Sequence, residues 1–209
     1  MAPAELPIAL GPVLELLNWA GIGVFALSGA LLAAEKKQTL VTFIFFAAVT
    51  GVGGGTVRDL LIGAPVFWMH TNTTLLICIG AAVGVWFLSS KRMTGMALLW
   101  FDAVGIAAYA TYGAAKALNY GVAPVPAFAM GVMTACVGGI IRDVLANEPS
   151  ILMRPELYVT AAALASGLFV SLSLLGVPSA LAAAVAGLAG FALRAAAIAR
   201  GLSLPAYGR

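Results

Sequence analysis

Two glycine-rich segments, each followed by an arginine–aspartate pair, carry the residues of this sequence best suited to chemistry inside a membrane. They lie in apolar runs long enough to cross about 30 Å of hydrocarbon, where ionisable side chains are costly and usually functional. A charged pair next to the exposed backbone of glycines could form the polar part of a transmembrane pathway. The segments contain Gly53, Gly54, Gly55, Arg58 and Asp59 in the first copy, and Gly138, Gly139, Arg142 and Asp143 in the second.

The glycines allow two interpretations, which the sequence leaves open. Glycine costs about 1 kcal/mol relative to alanine in a helix interior, so the triplet at 53–55 predicts a kink or a break. Backbone groups freed by a break must face protein or water, which would place them beside a pathway. The alternative is close helix packing through small residues.

The charged pairs are predicted to lie near the ends of their helices. The helix from Leu40 to Arg58 would be about 27 Å long, which puts Arg58 toward its outer end. Adjacent residues on a helix do not face each other, so we expect Arg58 and Asp59 to have separate partners. Each aspartate would then supply negative charge at one mouth of a pathway. The alternative is an arginine that extends to the lipid headgroups.

Milder polar residues complete the candidate pathway. The hydroxyls of Ser28, Thr50 and Thr134 lie inside apolar runs and could line a conduit together with backbone carbonyls and water. Asp102 is interpreted either as a pathway residue or as the cap of its helix, and Lys116 is expected to extend to the headgroups. Because no proton relay of carboxylates or histidine is evident at the predicted midplane, this lining favours a channel for small ions.

The elements that position these residues are predicted to be membrane-spanning helices. Of the 209 residues, 62% are hydrophobic and 9% are charged, whereas about a quarter of the residues of soluble domains are charged. We predict an all-α membrane protein with seven transmembrane helices. The predicted spans are 13–33, 40–62, 73–88, 98–118, 124–145, 157–175 and 179–199.

The distribution of basic residues predicts the orientation of these spans. Basic residues favour the cytoplasmic side of a membrane. With the N-terminus outside and the C-terminus in the cytoplasm, nine of the eleven basic residues lie inside and two, Arg58 and Lys116, lie outside. The nine inside are Lys36, Lys37, Lys91, Arg92, Arg142, Arg154, Arg194, Arg200 and Arg209.

The two glycine segments belong to an internal repeat. The sequence GGTVRD at 54–59 matches GGIIRD at 138–143, and the same offset places Asn18 opposite Asp102. Each repeat holds three spans, so the second copy enters the membrane from the opposite side, an arrangement typical of transport proteins with a pathway between the halves. We predict one repeat at 13–90, an inverted repeat at 97–175 and a seventh helix at 178–200.

With these motifs in view, the chain resembles prokaryotic members of the trimeric intracellular cation channel (TRIC) family. The resemblance rests on GVGGGTVRDLL at 51–61, CVGGIIRDVL at 136–145 and the arrangement of three, three and one spans. It implies a homotrimer in the plasma membrane, with one pore in each protomer that conducts K⁺ and also Na⁺. It further implies that the glycine-bearing second and fifth helices bend around the pore and gate it.

The main alternative is a secondary transporter for a small neutral solute such as glycine, since bacterial proteins with the same doubled glycine motif resemble glycine transporters. An enzyme is not expected, because no nucleophile–base pair or metal-ligand constellation is present in the sequence, and no cofactor is predicted. The net charge of +3 forms no basic stripe and predicts no nucleic-acid partner. The expected partners are permeant K⁺ and Na⁺, membrane lipids and further copies of the chain.

Overall fold

The protein is a bundle of long helices. The computed structural model describes residues 11–88, 94–153, 155–205 and 208. Seven α-helices lie in these ranges, and two short 3-10 turns, Phe67–His70 and Ile151–Met153, follow the second and the fifth. The helices are α1 Pro12–Glu35, α2 Leu40–Leu61, α3 Asn72–Leu88, α4 Thr94–Asn119, α5 Pro124–Leu145, α6 Tyr158–Leu174 and α7 Ser179–Arg200.

Helix length and local sequence agree with the predicted membrane protein. Helices α1, α2, α5 and α7 are long and apolar enough to cross a bilayer, and α3 and α6 are apolar but only 17 residues long. Proline occupies the first turn of α1 and α5, where its missing N–H costs nothing. Gly201 ends α7 in the left-handed conformation, with φ of 63°, which glycine adopts without steric cost. The predicted all-α class is therefore confirmed.

Helices α2 and α5 pack antiparallel across a local two-fold axis. Gly54 lies against the backbone of Thr134, and Gly138 lies against the backbone of Thr50. These two contacts exchange when each residue is replaced by its counterpart in the other repeat. Helices α1 and α4 cross in the same way, since Gly21 lies against Tyr109 and Gly105 lies against Phe25. The two copies of the sequence motif thus point in opposite directions through the bundle.

The turns that connect the helices are related by the same two-fold axis. Lys37 and Gly121 both have positive φ, of 52° and 75°, and so do Gly63 and Asn147, with 69° and 54°. The most visible difference from the predicted spans is α4, which begins at Thr94 rather than at 98. Predictions that involve residues 89–90, Lys91, Arg92, Arg154 and Arg209 lie outside the described residues.

Helix α7 has no counterpart in the repeat and packs against α4 and α6. Its small residues form the contact surface, and Ala182, Ala186 and Gly190 are buried. A Cβ on Gly190 would lie 2.7 Å from the Cβ of Ala165, so glycine allows α7 to approach α6 closely.

Candidate functional site

The crossing of α2 and α5 lies at the centre of the candidate site. Both helices continue through their glycines, since α2 is helical over Leu40–Leu61 and α5 over Pro124–Leu145. The predicted break is therefore wrong, whereas the predicted kink stays a prediction. A Cβ at Gly54 would overlap the Thr134 carbonyl oxygen, and a Cβ at Gly138 would overlap that of Thr50. Glycine is needed here because the two backbones touch, which is the alternative that the sequence left open.

Two of the three predicted hydroxyl residues, Thr50 and Thr134, lie at this crossing. Thr50 Oγ1 donates to the Phe46 carbonyl at 2.6 Å, and Thr134 Oγ1 donates to the Met130 carbonyl at 2.6 Å. Both threonine side chains are therefore bonded within their own helices. Their main-chain carbonyls are the groups that face the opposite glycine.

The first charged group is a buried cluster at the C-terminal end of α2, which we call the Arg58 cluster; it consists of Arg58, Asp59 and Lys116. Oδ1 of Asp59 accepts from Arg58 Nε at 2.9 Å and from Lys116 Nζ at 2.8 Å. Its Oδ2 accepts from the Phe67 main-chain N–H at 3.1 Å. Arg58 Nη2 lies 2.8 Å from Oδ1 without hydrogen-bond geometry, and the guanidinium stacks 5.1 Å from the Tyr112 ring.

Two predictions about this cluster are wrong. Arg58 and Asp59 do pair with each other, because the long arginine side chain folds back in a site from which solvent is excluded. Lys116 does not extend to the headgroups: it is 8% exposed and binds Asp59. Burial raises the cost of an unpaired charge, and a single carboxylate therefore gathers both cations.

The second charged group lies at the C-terminal end of α5 and is called the Arg142 cluster; it consists of Arg142, Asp143, Asp102 and Ser28. Arg142 Nε donates to Asp143 Oδ1 at 2.9 Å. Its two terminal nitrogens donate to the two oxygens of Asp102 at 2.7 and 3.1 Å, a bidentate geometry that is strong and directional. Nη1 also donates to Ser28 Oγ at 2.8 Å, and Asp143 Oδ2 accepts from the Ile151 N–H at 3.0 Å.

Asp102 lies inside its helix and not at the start, where the helix-cap interpretation placed it. Helix α4 begins at Thr94, so Asp102 lies in its third turn, 0% exposed, and binds a charged residue of another helix. The cap interpretation is therefore wrong. The predicted start of this span, at 98, is late by about one helical turn, which makes an interior residue look terminal.

Sequence reasoning missed several buried charge contacts. Lys116 binds Asp59 and Tyr112 lies beside Arg58, while Arg194 of α7 is 1% exposed, pairs with Glu156 and lies over the Tyr158 ring. Lys116 carried a signal, since a single lysine within an otherwise apolar span needs a partner. Tyr112 could have been found from the repeat, because it is the counterpart of Ser28 in the second copy and takes the same place beside Arg58 that Ser28 has beside Arg142.

A cavity opens beside the Arg142 cluster. Its volume is about 240 Å³, and its charged lining residues are Glu35, Arg142, Asp143 and Glu148. Lys36 forms an ion pair with Glu148 next to this cavity. The cavity thus lies at the end of the bundle that holds Arg142.

The arrangement as a whole places one buried ion cluster at each end of the α2–α5 crossing. Arg58 and Arg142 each lie about six residues, or about 9 Å of helix, from the two-fold axis. The ion pairs of both clusters join helices, since Lys116 of α4 binds Asp59 of α2 and Asp102 of α4 binds Arg142 of α5. Between them the two backbones meet through glycine, so a small separation of α2 and α5 would uncover peptide carbonyls at the centre of the bundle.

The chain is similar to solved structures of TRIC cation channels. The chain is 44% identical to the TRIC trimeric intracellular cation channel orthologue from Rhodobacter sphaeroides, with a TM-score of 0.86 over 91% of this chain and 99% of that one. It is 30% identical to a prokaryotic TRIC channel in 0.5 M KCl, with a TM-score of 0.85 over 92% and 98% of the two chains. A structure of a trimeric intracellular cation channel from C. elegans is 15% identical, with a TM-score of 0.60, and shares the fold.

Sequence relatives are bacterial membrane proteins. The UPF0126 membrane protein of Vibrio cholerae is 39% identical over 199 residues, which cover 93% of this chain and 83% of the relative. The inner membrane protein YadS of Escherichia coli is 39% identical over 148 residues, which cover 69% and 72%. A family model described as glycine transporter matches residues 15–90 and 99–173. Helix architecture, doubled motif and relatives agree, and the chain belongs to the TRIC family.

Proposed function

We propose that the protein is a channel for monovalent cations, K⁺ and also Na⁺, with a pore in each protomer along the α2–α5 crossing. The observation that carries this proposal is the pair of buried ion clusters at the two ends of a crossing built from glycine. The likeness to TRIC cation channels supports it.

The crossing suggests how such a pore would work. Gly54 and Gly138 leave no side chain between the helices, and the carbonyl oxygens of Thr50 and Thr134 lie at the contact. Carbonyl oxygens can replace water around a monovalent cation. We propose that the contact is the closed gate, and that bending of α2 and α5 at their glycines moves the backbones apart and opens it.

The remaining features of the proposal concern assembly and placement. Three protomers would form a homotrimer in the inner (plasma) membrane among its lipids, with the N-terminus outside and the C-terminus in the cytoplasm. Each protomer would consist of the repeat at 13–90, the inverted repeat at 97–175 and the seventh helix at 178–200. The charges that the structure describes support this orientation, since Lys36, Lys37, Arg194 and Arg200 lie at the end of the bundle that holds Arg142.

A carrier of a small neutral solute such as glycine is the second candidate. It is favoured by the description of the matching family model as glycine transporter. A carrier would use the same crossing as an alternating-access site rather than as an open pore.

Flux from liposomes separates the two candidates. Purified protein in liposomes loaded with KCl should release K⁺ at a rate that does not saturate, and it should show no exchange of labelled glycine. Saturable glycine counter-flow without K⁺ release would replace the channel by the carrier. A matched control is Ser150→Ala, outside the crossing and both clusters, which should behave like the wild type.

A further inference from the structure

The two ion clusters carry opposite net charge. Among the described residues, the Arg58 cluster joins the cations Arg58 and Lys116 to the single carboxylate of Asp59. The Arg142 cluster joins one cation to two carboxylates, those of Asp102 and Asp143. With every group ionised, the first cluster holds one positive charge in excess and the second holds one negative charge in excess.

This difference comes from two departures from the internal repeat. The arginine and the aspartate that follow the glycines are the same in both halves. The first-repeat counterpart of Lys116 is Leu32, and the first-repeat counterpart of Asp102 is Asn18. With the first-repeat residues in both halves, each cluster would be a neutral Arg–Asp pair, so Lys116 and Asp102 give the two clusters their opposite charge.

The charged residues around the two clusters are exposed or paired, so the clusters themselves carry the difference. Beside the Arg142 cluster, Glu35 and Lys37 are exposed, Glu148 pairs with Lys36, and Arg194 pairs with Glu156. At the other end, Glu15 in the first turn of α1 is exposed, where solvent screens its charge. Along the proposed route a cation therefore meets one cluster with a negative excess and one with a positive excess.

We infer that Lys116 and Asp102 make the pore rectify, so that cations pass more readily from the Arg142 end to the Arg58 end than in reverse. The inference rests on the proposed channel function. A cleft lined by charges of one sign concentrates counter-ions at its entrance. One unit charge about 10 Å away in water changes the local cation concentration about twofold. Entry from the negative end is favoured, whereas entry from the positive end is opposed.

The test compares single-channel currents at equal positive and negative voltages in symmetric KCl. The variants Lys116→Leu and Asp102→Asn copy the residues of the opposite repeat and leave a neutral Arg–Asp pair in each cluster. The third variant, Asn18→Asp, adds a carboxylate at the first-repeat counterpart of Asp102, whereas the other two variants each remove a charge. Gln38→Cys, in the exposed turn between α1 and α2, reports orientation through a membrane-impermeant maleimide.

We expect wild-type currents to differ about twofold between polarities in about 0.1 M KCl, and to become equal in about 1 M KCl, where the screening length falls from about 10 Å to about 3 Å. The Lys116→Leu/Asp102→Asn double variant should conduct equally in both directions at either concentration, and Asn18→Asp should reduce the asymmetry. Equal wild-type currents at low salt, or asymmetry that persists in the double variant, would overturn the inference alone. Absence of any KCl current would overturn the proposed channel and this inference with it.

Discussion

At the scale of single residues, the buried arginines are held by carboxylates in unequal numbers. Arg142 has two carboxylate partners, whereas Arg58 shares its one partner with Lys116. Removing one member of a buried ion pair strands the other charge, which typically costs about 3–5 kcal/mol. The consequence of losing an aspartate should therefore depend on whether a second carboxylate remains.

Asp59→Asn should destabilise the fold by about 3–5 kcal/mol, because it leaves Arg58 and Lys116 without an anion. Asp143→Asn should cost clearly less, because Asp102 still binds Arg142. Unfolding in detergent can be followed with a thiol-reactive dye, since Cys78 and Cys136 are both buried and react only when the bundle opens. Glu35→Gln, at an exposed carboxylate, is the control. Equal melting temperatures for the two aspartate variants would contradict this account of the clusters.

At the scale of elements, the α2–α5 crossing is a contact between two backbones. Gly54 and Gly138 meet carbonyl groups of the opposite helix, whereas a Cβ at the neighbouring Gly53 would meet the Ile141 Cδ1 atom at 3.2 Å. A flexible side-chain end can give way, but a helix backbone cannot do so without moving the whole element. Gly53 and Gly54 thus differ in how well they tolerate an added side chain, although they are neighbours in the same glycine triplet.

Gly54→Ala should separate α2 from α5, lower the stability by about 1–3 kcal/mol and raise K⁺ flux if the contact is the closed gate. Gly53→Ala should remain close to the wild type in both measurements and serves as the matched control. Thermal unfolding and K⁺ release from liposomes, measured on the same preparations, check the prediction. If Gly54→Ala has the flux and stability of the wild type, the two backbones are not in direct contact at Gly54, which would contradict this account.

How much of this could be predicted from sequence depends on the kind of interaction. The helices and the antiparallel halves follow from apolar runs and from the constant offset between the two copies of the repeat, both of which are one-dimensional patterns. The pairing of Arg142 with Asp102 could not be predicted, because Asp102 lies 40 residues away and a one-turn error at the start of α4 made it look like a cap. The rule that adjacent helical residues do not face each other failed at Arg58 because a long, buried side chain can turn back to its neighbour.

At the scale of the whole molecule, the distribution of basic residues predicts the orientation in the membrane. The Arg142 end also carries the short basic turn at Lys36 and Lys37 and the basic end of α7 at Arg200. Basic residues near helix ends favour the cytoplasmic side, so this end should face the cytoplasm and the Arg58 end should face outward.

A reporter fused to the C-terminus tests the orientation. Green fluorescent protein in this position should fluoresce, and alkaline phosphatase should be inactive, because the former folds in the cytoplasm and the latter outside it. The same reporters fused after Gly63, in the turn beyond α2, should give the opposite result. An active phosphatase at the C-terminus would reverse the proposed topology.

The claim that the α2–α5 crossing is the path of a cation channel is tested most directly by recording from purified protein in a planar bilayer under a KCl gradient. We predict discrete currents that reverse near the K⁺ equilibrium potential. Silence under voltage, or currents that reverse near the Cl⁻ equilibrium potential, would contradict it.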